Sequence, residues 1–359
     1  MPLETLPNEI LTHIFTTLPT LDAVLALAAT STHFYRLYHG SQRLAILAAV
    51  LDKEFGPLDA ILQICTHNAS QPAHQHRQVA FSDALVEQIL SIGRTAKHWE
   101  EVYPFKRWKT NYAARRLLAD AERYTLRRAI YRLWLFTRAF HNPNHSRNTR
   151  NNPAILTDRA ALLHNWSTPD LAEMLDTHNI LRDVVANNIC PSNGKMRQKF
   201  SKRYPDSSLQ QHNSHQPMFN IYGNHPPPPS ASWCATGEAA WMNSSIITSA
   251  KYTHTRLQPS RWHEPGMEGW GDDINHYYVV EDMLKLDPQQ LLFLRDRCTL
   301  KVQVEGFIKT RVEGGEGGWF ANNGETFCET LWAVLKQRGV EVDAFKGAVE
   351  DGEMGVAVV

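Results

Sequence analysis

The sequence predicts a mainly α fold: an amino-terminal three-helix module followed by helical domains, with minor β near the carboxy terminus and a long disordered insertion. Three observations lead there. Apolar residues recur at intervals of three and four from Leu6 to Phe140. Polar, breaker-rich stretches such as HNASQPAHQH separate these runs. Residues 192–235, which include PPPPS, are so rich in Ser, Asn, Gln, His and Pro that they supply no core. With 359 residues, 43% hydrophobic and 21% charged, the chain otherwise has an ordinary globular composition and the length for more than one core.

Residues 1–45 form the first module. Leu6, Ile10, Leu11, Ile14, Phe15 and Leu18 keep helical phase, Pro7 suits a first turn and Pro19 stops the helix. Thr20 caps a second helix through Leu21, Val24, Leu25, Leu27 and Ala28, and Thr30, Ser31 and Thr32 break and restart the chain before Phe34, Leu37 and Tyr38. So short a module buries too little alone and needs neighbours or a partner. A helical domain over 46–140 follows, with helical runs at Gln42–Leu51, Asp59–Ile64, Phe81–Ile92 and Ala113–Phe140. In the last run Leu126, Ala129, Ile130, Leu133, Phe136 and Phe140 share one arc, which makes it the spine of the domain.

A helical continuation spans 153–191, where Ser167 or Thr168 caps a helix with Pro169 in its first turn. The mobile loop 192–235 comes next, then an α-rich domain over 236–346. That domain holds a helix at Pro288–Arg295, a strand in TLKVQVEGFI and a last helix at Thr326–Gln337. Residues 347–359 read as a frayed tail. No internal repeat of fixed period is visible.

Charge and cysteine usage narrow the function classes. Lys plus Arg and Asp plus Glu both number 37, which argues against a nucleic-acid binder. The charges are nevertheless unevenly spread, with 14 Lys/Arg against 4 Asp/Glu from Arg94 to Arg150 and 9 against 18 from Glu264 onward, so these regions are expected to face each other. Cys65, Cys190, Cys234, Cys298 and Cys328 form no CxxC pair and are odd in number, which points to a reducing compartment. No basic n-region precedes Glu4 and Glu9, and no apolar run reaches membrane-spanning length. Cytoplasmic or nuclear residence, without membrane partners, is the expectation.

Other constellations have bland readings. Arg123, Arg127, Arg128, Arg132 and Arg138 interleave with Tyr124, Tyr131 and Trp134, but the clean apolar arc favours a core helix flanked by snorkelling arginines. Cys65, His67, His74 and His76, like His141 and His145, match no zinc spacing. GGEGG at 314–318 lacks the Lys-Ser/Thr of a phosphate loop, and Asp272-Asp273 and Glu281-Asp282 read as solvated acids. The expectation is therefore no catalytic residue, metal or cofactor, and a protein that is not an enzyme.

The first residues, LETLPNEILTHIFTTLPTLDAVLALAATSTHFYRL, resemble the F-box family: Leu6-Pro7 opens the pattern, Glu9, Ile10, Leu11, Ile14 and Phe15 fill the first helix, and Leu18 and Asp22 precede an apolar second helix. Where many members carry tryptophan in the third helix, this chain has Phe34. The runs around LRRAIYRLWLFTRAF and GWGDDINHYYVVEDMLKLDPQQLLFL resemble segments of large fungal-type F-box proteins. The resemblance implies a substrate-receptor subunit of a cullin-RING, SCF-type ubiquitin ligase. A Skp-type adaptor would contact Leu6, Pro7, Ile10, Leu11, Ile14, Phe15, Leu18, Leu21 and Leu25, and would lead to the cullin and RING subunits. The protein substrate and the residues that read it are unassigned. The alternatives are a scaffold acting outside the ligase, or an enzyme or nucleic-acid-binding module in the carboxy-terminal region.

Overall fold

A computed structural model of the chain describes residues 3–68, 71–142, 145, 150–203, 269–271, 276–312 and 325–358. Its described residues contain fifteen α-helices and no strand, and none of the helices is long and apolar enough to cross a membrane. They fall into two compact units, one of Met1–Arg182, Leu284–Leu292 and Phe320–Val359, the other of Asp183–Met283 and Phe293–Trp319.

In the first unit the amino-terminal module has three helices, α1 (Asn8–Thr17), α2 (Leu21–Ala28) and α3 (Thr32–Tyr38). The expected caps form. Thr20 Oγ1 accepts from the Ala23 N–H at 3.2 Å, and Ser31 Oγ from the Phe34 N–H at 3.3 Å, so donors orphaned at each helix start are met. The neighbour that so small a module requires is α4 (Arg43–Phe55). Its Ile46, Leu47 and Val50 close a core with Leu11, Phe15, Val24, Ala28, Phe34 and Tyr38. The Phe15 ring meets Phe34 edge-on and stacks on Tyr38, with centroids 6.4 and 6.3 Å away.

Next come α5 (Leu58–Thr66), α6 (Asp83–Arg107) and α7 (Asp120–Phe140). All six residues of the expected α7 arc are buried. This helix starts later than Ala113, because Glu122 turns back to accept from the Ala119 N–H at 2.7 Å and fixes the first turn there. α6 runs beyond Ile92 because buried Ala96, Trp99, Val102 and Tyr103 continue its inward face.

The arginines of α7 are spent inside the unit. Arg127 meets Glu100 at 2.9 Å, Arg128 meets Glu173 at 2.5 Å and Arg132 meets Asp170 at 2.8 Å. The expectation that the basic middle faces the acidic end therefore fails for this helix, whose partners are Glu100 of α6 and the acids Asp170 and Glu173. Among the described residues it is flanking arginines that reach the carboxy-terminal segment: Arg150 pairs with Glu329 at 2.7 Å, and Arg107 donates to the Val349 carbonyl at 3.1 Å.

α8 (Pro153–His164) is capped by Asn152, whose side chain accepts from the Ala154 N–H at 3.0 Å. α9 (Thr168–Val184) is capped by Ser167, which exchanges bonds with Asp170: the Ser167 N–H donates to Oδ2 at 3.1 Å and Ser167 Oγ accepts from the Asp170 N–H at 3.3 Å.

In the second unit a π-helical turn, Val185–Ile189, precedes α10 (Asn193–Arg203), and α11 (His276–Met283) follows the undescribed stretch. The start of the expected mobile loop is thus helix. Its Lys, Arg, Gln and Met residues are good helix formers, and Ser192 Oγ accepts from the Lys195 N–H at 3.3 Å. The loop from 204 onward and GGEGG lie outside the described residues. α12 (Pro288–Arg297), whose residues up to Leu292 belong to the first unit, agrees with expectation, whereas TLKVQVEGFI is not a strand but most of α13 (Lys301–Val312). Gln303 accepts from the Thr299 and Leu300 N–H groups at 2.9 and 3.1 Å, and Lys301 lies 3.9 Å from Glu305 one turn on.

The last helices, α14 (Phe327–Gln337) and α15 (Val342–Asp351), return to the first unit. The expected frayed tail is docked. Gly352 (φ 86°) ends α15 in the left-handed conformation, and Gly355 (φ 127°) turns again where a Cβ would press on Asp176. Val356 then donates its N–H to Asp176 Oδ2 at 3.0 Å, and Val356 and Ala357 are buried.

Candidate functional site: the surface of the amino-terminal module

The module's core uses one side of each helix and leaves apolar side chains on the other. Along α1, Leu11 and Phe15 point inward at 1% and 0% exposure, whereas Ile10 is 47% exposed and follows exposed Pro7. Ile14, one turn beyond Ile10, is half-buried. Along α2, Val24 and Ala28 are buried, Leu21 is half-buried and Leu25, one turn later, is 45% exposed. Pro7–Ile10–Ile14 and Leu21–Leu25 are therefore two outward stripes at helical spacing. Leu6, Ile14, Leu18 and Leu21 sit at the margin, partly buried and packed against the core, so Pro7, Ile10 and Leu25 are the exposed points of these stripes.

Of the nine residues expected to touch a partner, Leu11 and Phe15 are consequently interior and hold the module together. Leu3 at 52%, Tyr35 at 56% and Leu44 at 40% exposure are apolar surface that the sequence reading passed over. Tyr35 had a usable signal: it directly follows Phe34, and a helix turns successive residues by about 100° onto different faces. No Lys or Arg lies between Leu3 and Arg36, so Glu9 and Asp22 make this surface acidic as well as apolar.

The platform is braced from behind. The Leu21 N–H donates to Glu54 Oε2 at 2.8 Å, and Lys97 of α6 meets the same carboxylate at 2.8 Å while its ammonium lies 4.7 Å from the Phe55 ring centroid. Arg43 bridges to Asp83 at 3.1 Å. These contacts fix the α1–α2 surface on α4 and α6 before any partner arrives.

Compared with known families, residues 3–37 match the F-box domain. The chain carries an amino-terminal F-box. Its third-helix Phe34, where many members have tryptophan, is 5% exposed and fills the inward position. Neither a curated protein nor a solved structure matches the chain.

The residues weighed as a metal site do not converge. His67 Nδ1 lies 3.1 Å from the Arg77 guanidinium, His76 pairs with Asp59 at 2.8 Å, and the Cys65 thiol is pushed up to about 11 by burial. His67 is held below the usual histidine range by burial and by Arg77 and Arg138.

Proposed function

We propose that this F-box protein is the substrate-receptor subunit of an SCF-type ubiquitin ligase, and that Pro7, Ile10, Ile14, Leu21 and Leu25 seat in the groove of a Skp-type adaptor. The observation that carries this reading is apolar surface at helical spacing, left over after the module's own core is complete and lying within the residues that match the F-box. The adaptor would join the chain to cullin and RING subunits. Catalysis then resides in those partners, and this chain raises the local concentration of a protein substrate near the ubiquitin donor. It would do so in the cytoplasm or nucleus, where its cysteines stay reduced.

Affinity purification of the full chain tests the reading. The wild type is expected to retain a Skp-type adaptor, and I10D/L25D to lose it with circular dichroism unchanged. Each substitution removes up to about 1–2 kcal/mol of apolar burial and places a charge against an apolar groove, so a loss of at least about 100-fold in affinity is expected. A folded I10D/L25D chain that still retains the adaptor refutes the contact. Other partners without an adaptor would support a scaffold outside the ligase.

A further inference from the structure

His178 lies in the middle of α9, Glu325 just before α14 and Cys328 in the first turn of α14, so three metal-ligating side chains meet across about 150 residues of sequence. Cys328 Sγ is 3.6 Å from His178 Nδ1, and His178 Nε2 is 3.6 Å from Glu325 Oε1. One ligand atom from each residue lies within 4.8 Å of the others. His178 and Glu325 are each 4% exposed and Cys328 is partly buried. Both buried groups also line a cavity of about 20 Å³, walled by Leu133, Phe136 and Phe327, which is room for one water. His141 lines it too. Its Nε2 accepts from the Thr326 N–H at 3.3 Å, and its buried Nδ1 has no hydrogen-bond partner.

We propose that His178, Glu325 and Cys328 bind a zinc ion whose fourth ligand is a water in this cavity. An imidazole, a carboxylate and a thiolate form a borderline donor set that suits zinc and not magnesium or calcium. Tetrahedral zinc holds nitrogen, oxygen and sulfur ligands roughly 3.3–3.8 Å apart, a range that includes the His178–Cys328 separation. One ion takes one imidazole nitrogen. That nitrogen is Nδ1, which already faces Cys328; Glu325, 3.6 Å from Nε2 at the other edge of the ring, turns its carboxylate towards the ion on binding. The bound water accepts from His141 Nδ1–H and meets its unused donor. On binding, zinc replaces the thiol proton of Cys328, which leaves to solvent, and the carboxylate and thiolate balance the dication. Glu325 also accepts from the Phe327 and Cys328 N–H groups, so capping α14 accounts for that residue alone. It leaves the His141 donor at the cavity wall unmet.

The test uses the full chain, stripped with a chelator and then titrated with zinc. One equivalent is expected to bind and to protect Cys328 from alkylation, mapped by mass spectrometry, while Cys65 and Cys298 label as before. Cobalt in place of zinc should give thiolate-to-metal charge-transfer absorption. H178Q and C328S should each weaken binding by at least about 100-fold. Absence of stoichiometric zinc, protection of Cys65 in place of Cys328, or binding that survives both substitutions overturns the proposal. If either variant fails to fold, alkylation and cobalt absorption of the wild-type chain decide it.

Discussion

Ile10 and Leu11 are adjacent and chemically almost alike, yet one is 47% exposed and the other 1%. Their spacing was legible as an amphipathic helix, but the direction each faces was not, because the wall that receives Leu11 comes from Ile46, Leu47 and Val50 on a later helix. L11D should therefore destabilise the chain by roughly 3–5 kcal/mol, the scale of emptying a core leucine site, whereas I10D should leave the urea midpoint nearly unchanged. Equal midpoints for the two variants would contradict the facing. His67 gives a second expectation. Burial, with Arg77 and Arg138 beside it, lowers its pKa in the fold below the ordinary 6.5, so the unfolded chain takes up the proton first. Its contribution is complete above about pH 6.5 and is lost as pH falls below that value. H67Q, which supplies an uncharged acceptor to Arg77, should flatten this part of the stability–pH curve, as read by urea unfolding between pH 7 and 5.

Helices with side-chain caps were the most legible elements: Thr20, Ser31 and Ser167 each sit where local sequence alone predicts a start. TLKVQVEGFI was misread because Val302 and Val304 alternate with polar residues, a pattern that competes with the weaker signals of Gln303 at the helix start and the Lys301–Glu305 pair. The tail was misread because glycines and few periodic residues resemble fraying. Gly352 and Gly355 instead use positive φ to deliver Val356 to Asp176, a residue about 180 positions earlier that no local pattern announces. Removing residues 352–359 should cost about 2–4 kcal/mol, because Val356 and Ala357 leave the core and Asp176 loses a donor. Urea denaturation of the shortened chain checks this, and an unchanged midpoint would restore the frayed tail.

At the scale of the molecule, net charge was legible but its partition was not. Whether an arginine faces a distant acidic segment or an acid on the next helix depends on packing, and α7 pairs with Glu100, Asp170 and Glu173. The long polar insertion is now bounded by α10. Trp270 donates to the Pro191 carbonyl at 2.9 Å and accepts from the Asn193 N–H at 3.2 Å, so the chain around 191–203 is tied into the second unit. Deleting residues 204–232 should preserve cooperative thermal unfolding, since that composition supplies little core and loop length adds only slowly to closure entropy. Deletion from 193 should broaden or lower the transition, and identical melts would count against α10. The shared core of the F-box with α4 has a consequence for how such modules travel between genes. The stretch recognisable by sequence ends at residue 37, while the stretch that packs its interior continues to Val50. Recombination at the recognisable border would deliver a binding face without the wall behind it. Any productive exchange of this module must carry α4 along, or land beside a helix that already fits.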